Sequence, residues 1–185
     1  MTENNDIKSI YKLGAEDGAL LGVFLVTMFF CNIYSTVTPL LGLLGMAMFI
    51  GVPFIVYFMV YRGYKANARY RFFSASWMHG IMIFLCASLI LGLAIYVYLR
   101  FVNPTYLPDT FSQFAEILSA DSDPKLKEWA DNMALLAQSG QPSPIVFAFS
   151  TIWCTAFSGS VLSMFIALLV KLVPKRYDND GSQCQ

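Results

Sequence analysis

One histidine, His79, stands in a chain of 185 residues, and charged side chains make up only 13% of it. A lone imidazole leaves the usual metal-ligand sets and nucleophile–base constellations short of parts. The four cysteines, Cys31, Cys86, Cys154 and Cys184, contain no CxxC pair, and three of them fall within or beside apolar runs. That placement argues against a disulfide framework and against a zinc site. The 12 basic and 12 acidic residues cancel, so there is no excess of positive charge to hold nucleic acid. No phosphate-binding loop, no paired carboxylates at membrane depth and no nucleophile–base pair stands out. These absences point away from an enzyme and away from a bound cofactor or metal.

What the chain has instead is apolar length. Hydrophobic residues account for 57% of it, and the mean hydropathy is +0.57, a composition that fits a bilayer as solvent. A helix crosses the ~30 Å hydrocarbon core with about 20 apolar residues, and four such runs occur, over 14–33, 38–61, 73–101 and 145–170. The segment before the first run carries Glu3, Asp6, Glu16 and Asp17 beside Lys8 and Lys12, and no small-x-small cleavage site follows Cys31. It reads as a retained span rather than a signal peptide. The expected fold is an all-α integral membrane protein, a four-transmembrane-helix bundle forming one domain over 1–185.

Basic residues divide unevenly among the connections. Lys8 and Lys12 precede the first span, Arg62, Lys65, Arg69 and Arg71 fill the second connection, and Lys171, Lys175 and Arg176 follow the fourth span. The other side has Arg100, Lys125 and Lys127 among six acidic residues, Asp109, Glu116, Asp121, Asp123, Glu128 and Asp131. The positive-inside rule then puts both termini in the cytoplasm, which requires an even number of spans. The connection over 34–37 is short enough for a helical hairpin, with Pro39 near a helix start. Pro53, two residues after Gly51, is expected to kink the second span.

The outer segment, 102–144, carries helical signals of its own. Asp123-Pro124 reads as an N-cap followed by proline at the first helical position, and Leu126, Trp129, Met133 and Leu136 repeat with helical spacing up to Gly140. Phe111, Phe114 and Leu118 mark a shorter amphipathic helix before it. Such helices either lie on the outer membrane surface or cap the bundle.

Gly14, Gly18 and Gly22 recur at every fourth position of the first span, where missing side chains let another helix approach. Gly159, Ser163 and Ala167 form a similar stripe in the fourth span, and the two stripes are expected either to pack inside the monomer, facing one another, or to form a dimer seam. Glu16 and Asp17 are candidates for a cation or proton site, or for an interfacial ion pair with Lys12 and the basic second connection. His79 suits either proton sensing or an interhelical hydrogen bond or headgroup contact. Trp77, Tyr57, Tyr61, Tyr64 and Tyr70 read as an interfacial aromatic belt. Where the third span leaves the membrane, Tyr96, Tyr98, Phe101 and Tyr106 surround a snorkelling Arg100 and the Asn103-Pro104 stop.

That last stretch, aromatics ending in Asn-Pro-x-Tyr after a third span opening with Phe73 and Gly80, resembles a family of small four-span bacterial membrane proteins classed as a domain of unknown function, DUF4199. The resemblance covers essentially the whole chain, although members commonly carry Gly-Gln where this chain has Ser74-Ala75. It implies a bacterial cytoplasmic membrane location and no established reaction; members encoded near glycosyltransferases suggest an accessory to lipid-linked sugar transfer. The residues themselves leave three functions to weigh. The first is a non-catalytic accessory or interaction subunit, touching the lipid bilayer and either a membrane partner or a second copy. The second is a small dimeric transporter or channel. The third is an intramembrane enzyme drawing on His79, Arg100, Asp121 and Asp123, whose histidine and aspartates fall on opposite sides of the membrane.

Overall fold

A computed structural model describes residues 2–36, 38–66, 72–119, 124–139 and 143–172, and among them every regular element is helical. In chain order these are α1 (Thr2–Ile33), α2 (Pro39–Ala66), α3 (Phe73–Val97), α4 (Tyr106–Ser119), α5 (Pro124–Ser139) and α6 (Pro144–Leu172). Among the described residues four stretches are long and apolar enough to cross a membrane: Tyr11–Ile33, Pro39–Tyr64, Phe73–Val102 and Pro144–Val170. They start or end up to three residues beyond the runs expected from hydropathy, because backbone hydrogen bonding continues into the polar flanks. Between α1 and α2 a 3-10 turn, Tyr34–Thr36, closes the hairpin, and the Thr38 N–H donates to the Tyr34 carbonyl at 3.2 Å. Helix α2 starts at Pro39 and runs through Pro53 as one α-helix. Asp123 and Gly140, the expected ends of the second loop helix, lie outside the described residues, as do Tyr70, Asp121 and the tail from residue 173.

Helix α3 is the centre of the bundle, with α1 and α6 both packed closely on it. Its buried positions, Ser76, His79, Gly80, Ile83, Phe84, Ala87, Ser88, Leu91, Gly92 and Ile95, follow a 3-and-4 spacing broad enough to serve two neighbours. In lipid, apolar side chains gain little from leaving the solvent, so helices associate by close van der Waals packing at small residues. The glycine stripe of α1 lies on α3, with Gly14 against His79 and Met82, Gly18 against Ile83 and Cys86, and Gly22 against Ile90. The α6 stripe lies on α3 as well: Gly159 meets the Phe84 ring, and Ser163 fits over Gly80. The two stripes therefore do not face one another; each uses α3, whose own Gly80 and Gly92 complete the α6 seam. Trp77 is drawn into this seam, donating its indole N–H to the Ser160 carbonyl at 3.3 Å. Tyr57 and Tyr61 stack with ring centroids 6.0 Å apart and, with Tyr64, pack on the core, so the expected aromatic belt is partly an interior feature.

Helix α3 ends in a π-helical turn, Tyr98–Val102. The extra residue in each hydrogen-bonded ring turns both Tyr98 and Leu99 inward while Arg100 stays exposed. Tyr98 meets Phe29 and Tyr106 edge to face, at 5.8 and 5.7 Å. Helices α4 and α5 pack mainly on each other, and the first turns of α4, through Tyr106, Leu107 and Phe111, join the core beneath.

A Cβ on Gly18 would lie 2.7 Å from both the Ile83 carbonyl and Cys86 Cβ, whereas one on Gly51 would meet nothing within 4 Å. Gly18→Ala is therefore expected to lower thermal stability in detergent by the ~1–3 kcal/mol of an overpacked contact. Gly51→Ala is expected to leave it unchanged or raise it by up to ~1 kcal/mol through helix propensity. Equal melting points for the two variants would contradict the seam.

Candidate ionisable site

Near the end of the bundle where α1 begins and α6 ends, three helices bring one ionisable side chain each to a common point. Asp17 of α1 is 1% exposed and His79 of α3 is fully buried. Asp17 Oδ1 accepts a hydrogen bond from Arg62 Nη2 of α2, and Asp17 Oδ2 faces His79 Nε2 at 3.4 Å. The sequence places them there for separable reasons. Asp17 is three residues after Gly14 and four before Leu21, on the same α1 face as the glycine stripe, so the close α1–α3 approach carries its carboxylate inward. His79 precedes Gly80, whose missing side chain admits Ser163, and its ring Nδ1 lies beside Gly14. Arg62 sits at the terminal end of α2, with 54% of its side chain exposed, so the aliphatic stem crosses packed surface while the guanidinium spans from water to Asp17.

A carboxylate removed from water in this way costs several kcal/mol unless a partner neutralises it. Arg62 supplies that partner, in a charge-assisted hydrogen bond stronger than a neutral one. This is the expected ion pair between the acidic residues and the basic second connection, made by Asp17 with Arg62. Glu16, one residue and about 100° around the helix from Asp17, is exposed together with Lys12, and the acid that matters is Asp17. His79, expected to serve in proton sensing, an interhelical hydrogen bond or a headgroup contact, faces a carboxylate of another helix. The helix-face position of Asp17 between Gly14, Gly18 and Leu21 was the available signal for which of the two acids turns inward.

The other candidates do not join this site. Arg100 lies 21 residues further along α3 from His79, about 32 Å at ~1.5 Å per residue, and its side chain is exposed. Asn103 ends the π turn, its N–H donating to the Tyr98 carbonyl at 2.9 Å and its Oδ1 accepting from the Thr105 hydroxyl at 2.9 Å. Nearby, burial pushes the Tyr106 phenol above its ordinary range, with Tyr98 adding to the shift and Thr110 opposing it. Gly159, Ser163 and Ala167 are packing residues; the Ser163 hydroxyl is spent on the Gly159 carbonyl at 2.7 Å, and Ala167 is buried. Among the described residues no group of three or more His, Cys, Asp or Glu could hold a metal ion. A separate apolar cavity of about 480 Å³ opens near mid-bundle between α2 and α6, with Phe49, Pro53, Phe84, Thr155, Ser158 and Leu162 among its walls.

The sequence profile of a family described as Protein of unknown function (DUF4199) matches residues 16–171, most of the chain. The chain belongs to this family. The matched DUF4199 region runs from the first membrane helix to the end of the fourth and includes Asp17, Arg62 and His79. No curated protein and no solved structure matches the chain.

Unequal exposure of the two ion-pair partners predicts unequal costs. Arg62→Ala strands a buried carboxylate and is expected to destabilise by about 3 kcal/mol, the lower end for a broken buried pair. Asp17→Asn keeps the shape and frees Arg62 to water, at about 1 kcal/mol. Adding Asp17→Asn to Arg62→Ala should recover part of the loss. Melting curves for the four proteins in one detergent check the order; an Asp17→Asn variant less stable than Arg62→Ala would refute this account of the pair.

Proposed function

We propose that this four-span protein resides in a bacterial cytoplasmic membrane with both termini in the cytosol, and acts without catalysis of its own as an accessory or interaction subunit. The observation that carries this reading is what the fold exposes outside its spans. Helices α4 and α5 turn Phe114, Ile117, Trp129 and Leu135 outward, each more than half exposed, while the small-residue stripes that would serve a dimer seam are occupied by α3. Large apolar side chains left exposed on an extramembrane helix pair are the usual mark of a contact surface. The cytosolic termini are supported by the nine Lys and Arg that flank the spans on their side, against three on the other. A tagged copy expressed from its own chromosome and purified in mild detergent is expected to bring down a stoichiometric membrane partner or a second copy. Phe114→Ala with Trp129→Ala should abolish that association without changing the melting point. A monodisperse monomer with no companion would overturn the reading.

The buried Asp17–His79 contact favours a second reading, a small transporter or channel, because an ionisable group placed inside a membrane bundle is costly and usually tied to an ion pathway. That reading requires gradient-driven flux in proteoliposomes that Asp17→Asn abolishes and the exposed Glu16→Gln leaves intact. Flux indifferent to Asp17 would remove it.

A further inference from the structure

We propose that Asp17 and His79 form a proton-binding site whose occupancy displaces Arg62 from Asp17 and so frees the terminal end of α2 from α1. The inference goes beyond the accessory role and does not depend on it. The carboxylate divides its labour: Oδ1 holds Arg62, while Oδ2 is buried, has no hydrogen bond among the described residues and looks at His79 Nε2 across 3.4 Å. Neutral imidazole carries one proton, and uptake of a second makes both ring nitrogens donors. Whichever nitrogen holds the first, the protonated ring presents Nε2–H to Oδ2, and the facing pair becomes a charge-assisted hydrogen bond. The proton comes from the aqueous phase at the end of the bundle where Arg62 already reaches water.

Charge bookkeeping then decides which cation stays. With His79 neutral, Asp17 and Arg62 sum to zero. With His79 protonated, two cations share one carboxylate and the buried cluster carries a net positive charge, which low-dielectric surroundings penalise. His79 is fully buried and fixed on the central helix, whereas the Arg62 side chain is 54% exposed and regains hydration by turning outward. Arg62 is therefore the group that leaves. Among the described residues the elements around the site show no second acidic side chain turned inward beside Asp17. On α1, Glu16 and Lys12 are exposed; on α2 the residues flanking Arg62 whose side chains are described are Tyr61, Gly63 and Tyr64; on α3 Ser76 is uncharged; and α6 has no charged residue from 144 to 170. Once Arg62 departs, α2 loses its ionic tie to α1, and the helix already lacks one internal bond at Pro53, whose nitrogen cannot donate to the Phe49 carbonyl.

The single histidine makes the test direct, because the imidazole nitrogens of a histidine-labelled chain report on His79 alone. The full chain, purified through a tag without histidine and placed in lipid nanodiscs, is titrated from pH 8 to pH 5, the range in which histidines commonly change charge. Nitrogen-15 spectra follow the ring, and hydrogen exchange, corrected for intrinsic rate, follows residues 57–66 of α2. The expected result is protonation of His79 with a parallel rise of about tenfold in exchange at that segment, the factor that ~1.4 kcal/mol of lost protection gives. Arg62→Gln should show the raised exchange at both ends of the range, and His79→Gln the low exchange at both. An imidazole that stays neutral to pH 5 would overturn the proposal, as would protonation with no change in α2, or a pH response retained by His79→Gln. The first two outcomes are read on the unsubstituted protein, so they stand even if a variant fails to fold.

Discussion

The close approach of α1 and α6 to the two sides of α3 is the constraint on which the rest of this structure depends. In a bilayer, greasy side chains do not drive helices together, and contact is gained only where backbones come near enough for dense packing. Glycine at positions 14, 18 and 22 allows it on one side, and Gly80, Gly92 and Gly159 allow it on the other. The seam with α1 also fixes the depth of Asp17, which rides on the same face as those glycines and arrives beside His79. Polar chemistry inside the bundle is thus a product of packing.

Helix α2 is held by different means. It shares Val52, Val56 and Val60 with the core, its Gly51 touches nothing, and near mid-bundle it stands away from α6 across the apolar cavity. It is also tied by the ion pair at Asp17, where one partner is shielded from water and the other is only half shielded. Strength in such a pair comes from the shielded side and reversibility from the exposed side. The described bundle therefore combines uncharged glycine seams with an ion pair that spans from the interior to water.

Much of the fold was legible in the sequence. Hydropathy and length are read along the chain, and they give the four spans, the hairpin turn before Pro39 and the loop helices with little error. Family membership followed from the same one-dimensional pattern together with the Asn103 to Tyr106 exit. Partner choice among helices was not legible, since Gly18 announces a close contact without saying with which helix, and the two small-residue stripes were wrongly matched to each other. The ionisable site was half legible. Asp17, Arg62 and His79 each stood out as residues, and an ion pair with the basic second connection was expected, but charge placement did not say that Asp17 rather than Glu16 turns inward or that His79, 62 positions away, meets it. Periodicity did hold the clue, in the Gly14, Asp17, Gly18, Leu21 face.

The order of these residues in the chain has a consequence for biosynthesis. Asp17 and Arg62 sit on consecutive spans joined by a three-residue 3-10 turn, so acid and base leave the ribosome within one helical hairpin. That hairpin can enter lipid with its charges already matched, before the segment bearing His79 has emerged, and the imidazole arrives as a latecomer to a pair that is electrically complete.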